Sequence, residues 1–170
     1  MSDRCILIVS DIHGEEEGVL LVKKAIERFW PEMVLSAGDQ CPYQGENLFR
    51  SLTAVRGNCD RFYEYHDLPF PPPLLKMTVL GRKICMTHGD AIWYDELELE
   101  EGTIFISGHT HVPSLRKENG IYLVNPGSAS RPRSSEGASA ALLSEDGLEL
   151  FSLMDFEMIS ALSFSERKNS

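Results

Sequence analysis

An α/β protein built from two facing mixed sheets with outer helices is the fold class that this 170-residue sequence predicts. Three observations point to it. Short, continuously apolar runs such as RCILIVS are too apolar for a sheet with one wet face. The first third repeats strand, polar loop, helix, strand, the pattern of parallel βαβ units. The second half carries closely spaced β-rich runs separated by turn residues, the pattern of antiparallel hairpins.

Arg4 to Ser10 opens the chain as a buried strand, and its apolar run stops at Asp11 with no small-residue cleavage site, so it does not read as a signal peptide. Glu15 to Trp30 follows as a helix. Val19, Val22, Ile26 and Phe29 fall at helical spacing, Glu15 to Glu17 supply an acidic first turn, and Pro31 stops it. Met33 to Ser36 gives a second strand, Asn47 to Leu52 a helix, and Thr53 to Arg56 a third strand. The run PFPPP at Pro69 to Pro73 belongs neither inside a helix nor in a central strand. Leu74 to Leu80 and Lys83 to Thr87 then form a hairpin about Gly81-Arg82. Ala91 to Glu101 reads as a short acidic helix and Thr103 to Ser107 as a buried strand. Two further hairpins turn at Glu118-Asn119-Gly120 and Glu145-Asp146-Gly147. One domain spans residues 1–155, and 156–170 form a C-terminal tail whose last half-dozen residues are disordered.

Composition bounds the function. The formal charge of −10 disfavours a duplex nucleic-acid binder, which would carry a basic face. No apolar stretch approaches the length of a membrane span. Cys5, Cys41, Cys59 and Cys85 form no CxxC pair, so zinc-finger and disulfide frameworks fail on spacing, and a reducing cytoplasm fits best.

Four of the five histidines lie in short polar runs that follow apolar stretches: His13 in SDIHG, His88 in MTHGD, His109 and His111 in SGHTH. Asp11, Asp39 in AGDQC and Asn58 in VRGNCD occupy the same kind of position. Each run alone is an ordinary turn or cap. Together they bring six or seven nitrogen and oxygen ligands to one edge of a parallel-type sheet, enough for two divalent ions.

The ordered set DxH, GD, GNCD, HG, GHTH resembles the calcineurin-like metallophosphoesterase superfamily, and most of all its small YfcE-like phosphodiesterase branch. The NPGS run at Asn125 to Ser128 is similar as well. The resemblance runs from about Cys5 to Leu153 and implies a four-layer α-β-β-α sandwich. It also implies two metals, one held by Asp11, His13, Asp39 and His111, the other by Asp39, Asn58, His88 and His109. Mn²⁺ is the expected ion, with Fe²⁺, Ni²⁺ or Zn²⁺ as alternatives. In the activity so implied, a bridging water loses a proton near neutral pH and attacks a small phosphodiester. A phosphomonoesterase or nuclease of the same superfamily shares that chemistry. A different class is the retromer scaffold subunit, which the branch resembles in fold and which lacks the histidine of DxH; His13 favours the enzyme.

Where many relatives have histidine after Gly-Asn, this chain has Cys59, either a proton donor or a small packed residue. Where the branch often reads His-Gly-His, this chain has Asp90, which either orients His88 or caps the helix from Ala91. Asp60 would fix the loop or a histidine tautomer. Arg131 and Arg133 either contact phosphate or form a solvated basic patch, and His66 is structural or exposed. Apolar residues at Phe70 to Leu75 or Phe151 to Phe164 would serve a homo-oligomer, if one forms.

Overall fold

The computed structural model describes residues 4–164. Eleven strands make two sheets. The first holds β1 (Cys5–Val9), β2 (Met33–Ser36), β3 (Leu52–Ala54), β9 (Ser139–Ser144), β10 (Gly147–Ser152) and β11 (Met158–Ser163) in the order β11-β10-β9-β1-β2-β3. The second holds β4 (Leu74–Val79), β5 (Arg82–Thr87), β6 (Ile104–Ile106), β7 (Ser114–Glu118) and β8 (Ile121–Asn125) in the order β4-β5-β6-β8-β7. In the first sheet β1, β2 and β3 are parallel. In the second β5, β6 and β8 are parallel.

Apolar runs without alternation follow from burial on both faces. Ile6 and Ile8 point into the core between the sheets with Leu35, Ile84, Ile104 and Val124. Leu7 and Val9 point the other way, against Val19, Val22 and Ala25 of helix α1 (Glu16–Phe29). Trp30 closes that helix in the left-handed conformation, its backbone N–H donating to Ile26 O at 3.0 Å. The two sheets, with α1 outside the first, form the expected α/β sandwich.

The outer layer of the second sheet departs from expectation. Ala91 to Glu101 is not an acidic helix; it makes a single 3₁₀ turn at Tyr94–Glu96 and otherwise runs irregular or extended. Glu96-Leu97-Glu98-Leu99-Glu100 alternates with period two, so an extended backbone turns both leucines onto Cys85, Phe105 and Leu123. The expected helix at Asn47 to Leu52 is likewise one 3₁₀ turn, Leu48–Ser51, and the third strand sits earlier than Thr53 to Arg56. The first hairpin turns at Leu80-Gly81, one residue before the expected pair, with φ of 49° and 72°. Both central residues of such a two-residue turn need positive φ. Leu80 accepts that conformation while packing on the inter-sheet core.

Residues 156–164, assigned to the C-terminal tail, are an ordered part of the first sheet. β11 pairs antiparallel with β10, and Ile159, Leu162 and Phe164 pack against the inter-sheet core. The last six residues, also assigned to that tail, lie outside the described part. Phe151 is buried and Phe156 half-buried, whereas Met158 is exposed. Among the described residues no helix is long and apolar enough to cross a membrane.

Candidate metal centre

All six parallel strands end on one side of the molecule, and the loop after each of them takes part in a single cluster. Asp11 and His13 follow β1, Asp39 follows β2, Asn58 follows β3, His88 follows β5, and His109 and His111 follow β6. The Asn125–Ser128 run ends β8 and braces the cluster from behind.

Five of the seven expected ligands hold a left-handed backbone: Asp11 at φ 54°, His13 at 52°, Asp39 at 54°, His109 at 71° and His111 at 62°. Asp, Asn and His tolerate this region better than most residues, yet each instance costs about 1–3 kcal/mol. Strain gathered in this way marks a functional site. Asp11 and His13 converge through tight turns and not through the alternation of an extended strand.

The ligand atoms meet at short range. His111 Nε2 lies 3.2 Å from Asp11 Oδ1 and 3.2 Å from His13 Nε2. His13 Nε2 lies 3.5 Å from Asp11 Oδ1 and 3.7 Å from Asp39 Oδ2. On the other side His88 Nε2 is 3.2 Å from Asp39 Oδ2 and 3.9 Å from Asp11 Oδ1. His109 Nδ1 lies 3.1 Å from Asn58 Oδ1. Three overlapping candidate groups result among the described residues, Asp11–His13–His111, Asp11–Asp39–His88 and His13–Asp39–Cys59, each with ligand atoms within 4.8 Å of one another.

Two buried atoms here have no hydrogen-bond partner: Asp11 Oδ1 and His88 Nε2. Leaving buried polar atoms unpaired costs about 1–3 kcal/mol each, more when charged. The rest of each residue is fully engaged. Asp11 Oδ2 accepts from Ser10 Oγ at 2.6 Å and from the His109 N–H at 3.0 Å. His88 Nδ1 donates to Ala37 O at 2.7 Å, and His111 Nδ1 to Arg131 O at 2.7 Å. Because a carbonyl only accepts, these bonds put a hydrogen on each Nδ1 and turn both Nε2 lone pairs inward, free to meet a cation, the orienting role that backbone carbonyls play for metal-bound histidines. The orphaned atoms are those a cation would satisfy. The donor set therefore fits metal.

Charge coupling tells the same story. Burial pushes the Asp11 carboxyl up, but the neighbouring His111, His13 and His88 imidazoles and the Ser10 hydroxyl outweigh it and hold it well below the usual range. Asp39 is lowered in the same way, burial being overcome by His88. Burial depresses His88, yet Asp39 and Asp11 prevail and raise it to about 9. The Asp11 carboxylate raises His111 against the effect of burial.

The other expected residues divide. Asp60 is buried and braces the loops: Oδ2 accepts from the Asp39 N–H at 2.9 Å and the Gly57 N–H at 2.8 Å, and Oδ1 from the Cys41 N–H at 2.9 Å. The Cys59 N–H donates to Asp39 Oδ1 at 2.8 Å, and its thiol, pushed up by burial and by Asp39, lies within ligand range of His13 and Asp39. Asp90 has no helix to cap; it is exposed and lines a cavity with Asn58 and His88. The exposed Arg131 guanidinium pairs with Glu15, and the Arg131 carbonyl accepts from His111 Nδ1. Arg133 is exposed, its backbone N–H donating to His111 O at 3.1 Å. His66 is exposed.

Sequence reading missed several supports. Ser128 Oγ and Ser130 Oγ both donate to Asp11 O, at 2.8 and 3.0 Å. Asn125 Nδ2 donates to Gly108 O at 2.9 Å. Gly57 and Gly108 are among the glycines required by contact. A Cβ on Gly57 would sit 2.1 Å from Asp39 Oδ1, and one on Gly108 would sit 2.0 Å from Ser10 Oγ and 2.6 Å from Asp11 Oδ2. The GN and GH dipeptides of the motifs were the available signal.

The family model for the calcineurin-like phosphoesterase superfamily domain matches residues 5–147. The chain belongs to that superfamily. Within it the chain is similar to the YfcE-like branch. It is 25% identical, over an alignment 180 positions long, to Phosphodiesterase YfcE of Escherichia coli K12, covering 94% of this chain and 98% of that protein. The solved E. coli YfcE, described as a phosphoesterase, superposes with a TM-score of 0.84 at 24% identity, covering 95% of this chain and 100% of that one. Vps29 of Entamoeba histolytica, solved in complex with zinc, has the same fold, with a TM-score of 0.65 at 20% identity over 95% and 99% of the two chains. The calcineurin-like fold thus accounts for a layout in which every metal-directed loop leaves the end of a parallel strand.

Proposed function

We propose that the protein is a dinuclear metal-dependent phosphodiesterase acting on small phosphodiesters, with Mn²⁺ as its working ion. Asp11, His13, Asp39 and His111 would hold one ion, and Asp39, Asn58, His88 and His109 the other, with Asp39 shared. Its ligands are imidazole, carboxylate and amide oxygen, a set suited to Mn²⁺, Fe²⁺, Ni²⁺ or Zn²⁺. When bound, the two ions supply a water acidic enough to attack phosphorus near neutral pH and offset the charge that builds on the phosphoryl oxygens.

The chain's own part is to hold ligands in place before substrate arrives. Carbonyls of Ala37 and Arg131 fix the His88 and His111 tautomers. Asp60 holds the Asp39 backbone, and Asn58 contributes an uncharged oxygen. No serine or thiol nucleophile is required: the Cys59 thiol is held neutral by burial and by Asp39. All four cysteines are free, which fits a reducing cytoplasm.

The observation that carries this reading is the pair of buried, unpartnered atoms, Asp11 Oδ1 and His88 Nε2, facing one cluster of ligands. A Vps29-like scaffold is the second reading, favoured by likeness of fold. Since that Vps29 binds zinc, metal binding alone does not separate the two readings, and turnover does. The protein is expected to hydrolyse bis-p-nitrophenyl phosphate with Mn²⁺, to lose activity in EDTA and to regain it on adding metal. Absence of metal-dependent turnover from pH 6 to 9 with Mn²⁺, Fe²⁺, Co²⁺, Ni²⁺ and Zn²⁺ would favour the scaffold.

A further inference from the structure

Beside the metal cluster, on its Asn58 and His88 side, lies a cavity of about 290 Å³. Asn58 and His88 form its inner wall, Pro73 and Ile92 give it apolar surface, and Arg56 and Asp90 give it charge. The two charged groups differ in how they are held. Arg56 Nη1 donates to Pro71 O at 3.1 Å, and the guanidinium lies 5.2 Å from the Phe70 ring centroid. That contact fixes the group but leaves most of its five N–H donors unused. Asp90 is exposed and, among the described residues, takes part in no hydrogen bond or ion pair.

Two residues of opposite charge lining the same cavity restrict what can enter. A cationic arm gains from Asp90 but is repelled by Arg56, and an anionic arm suffers the reverse. A purely alkyl arm offers neither group a partner and displaces some of their water. A hydroxyl donates and accepts at once, so vicinal hydroxyls satisfy an acceptor-only carboxylate and a donor-only guanidinium together. The carbon side of such an arm meets Pro73 and Ile92.

We propose that this cavity takes one ester arm of the phosphodiester and selects a neutral arm with vicinal hydroxyls, of the glycerol or ribose type, through Asp90 and Arg56. The proposal rests on the phosphodiesterase reading above and names the substrate class of that site. It gives Asp90 a role apart from orienting His88.

The test compares p-nitrophenyl diesters on the Mn²⁺-loaded full chain, one with a 2,3-dihydroxypropyl arm and one with a propyl arm. Hydrogen bonds to charged groups of this kind predict a preference of about tenfold or more in kcat/KM for the diol. In Asp90→Ala and Arg56→Met that ratio should fall to within about twofold of one. An adenosine 5′-arm distinguishes the sources: preference for it over dihydroxypropyl assigns a ribose, the reverse assigns glycerol, and either supports the proposal. A wild-type ratio near one, a preference for an aminoethyl arm, or an Asp90→Ala variant that slows both diesters equally would overturn it. If wild type turns over no diester, the phosphodiesterase reading fails on its own. Calorimetric titration of the same protein with the two diesters then decides the cavity. Tighter binding of the diol, lost in Asp90→Ala, supports the proposal, and equal binding rejects it.

Discussion

Asp60→Asn tests whether the cluster is held from beneath. The carboxylate accepts three backbone N–H bonds at 2.8–2.9 Å, from Asp39, Gly57 and Cys41, with Gln40 Nε2 at 3.4 Å. An amide has one oxygen. In the cheaper orientation that oxygen keeps Asp39 and Gly57, and the new NH₂ points at the Cys41 N–H, donor against donor. One charged hydrogen bond is lost, one N–H is left unpaired and the remaining bonds weaken, together about 2–4 kcal/mol. For a domain of this size the melting temperature should drop by about 5–15 °C. The assay is thermal unfolding in EDTA followed by circular dichroism, with Mn²⁺ titration alongside, and metal affinity should fall because the Asp39 loop loosens. A melting temperature within about 2 °C of wild type, with metal affinity unchanged, would refute the bracing role.

The remaining predictions are briefer. Gly57→Ala and Gly108→Ala place a Cβ against Asp39 and Asp11, so each should reduce bound Mn²⁺ to well under two per chain by elemental analysis; full loading would contradict the close packing. In metal-free protein His88 is raised to about 9, above its ordinary value of about 6.5. Its contribution to stability is therefore full below about pH 6.5 and is lost as pH rises through about 9. Melting temperature in EDTA should decline over that window, and a flat profile would contradict the coupling. Ending the chain at Asp155 removes the contacts of Ile159, Leu162 and Phe164 with the inter-sheet core. It should cost more than about 3 kcal/mol of stability by denaturant unfolding, and an unchanged midpoint would show that β11 is dispensable. If Cys59 is packing and not an acid, Cys59→Ala should give a leaving-group dependence parallel to wild type; a loss growing with leaving-group pKa would assign it the proton.

Much of this was legible because two physical signals were strong. Buried parallel strands advertise themselves as unbroken apolar runs, so β1, β2 and β6 were placed to within a residue. Polar residues directly after such runs must gather at one end of the sheets, which located Asp11, Asp39, His88, His109 and His111. What was hidden depends on backbone conformation and on long-range partners. Local propensity did not reveal that Leu80 would take a left-handed φ, nor that the acidic run after Tyr94 would follow its period-two leucines into an extended layer. The roles of Ser128 and Ser130 depend on Asp11, more than a hundred residues away. Arg131 acts through its carbonyl, which no side-chain pattern announces. The strand at Met158–Ser163 alternates weakly, its exposed residues being those of a sheet edge.

The most direct test of the central claim is anomalous diffraction at the manganese edge from crystals grown with Mn²⁺. Two peaks per chain are expected, one beside Asp11, His13 and His111, the other beside Asn58, His88 and His109, with the Asp39 carboxylate between them. A single peak, or none at these residues, would contradict the dinuclear centre on which the proposed chemistry depends.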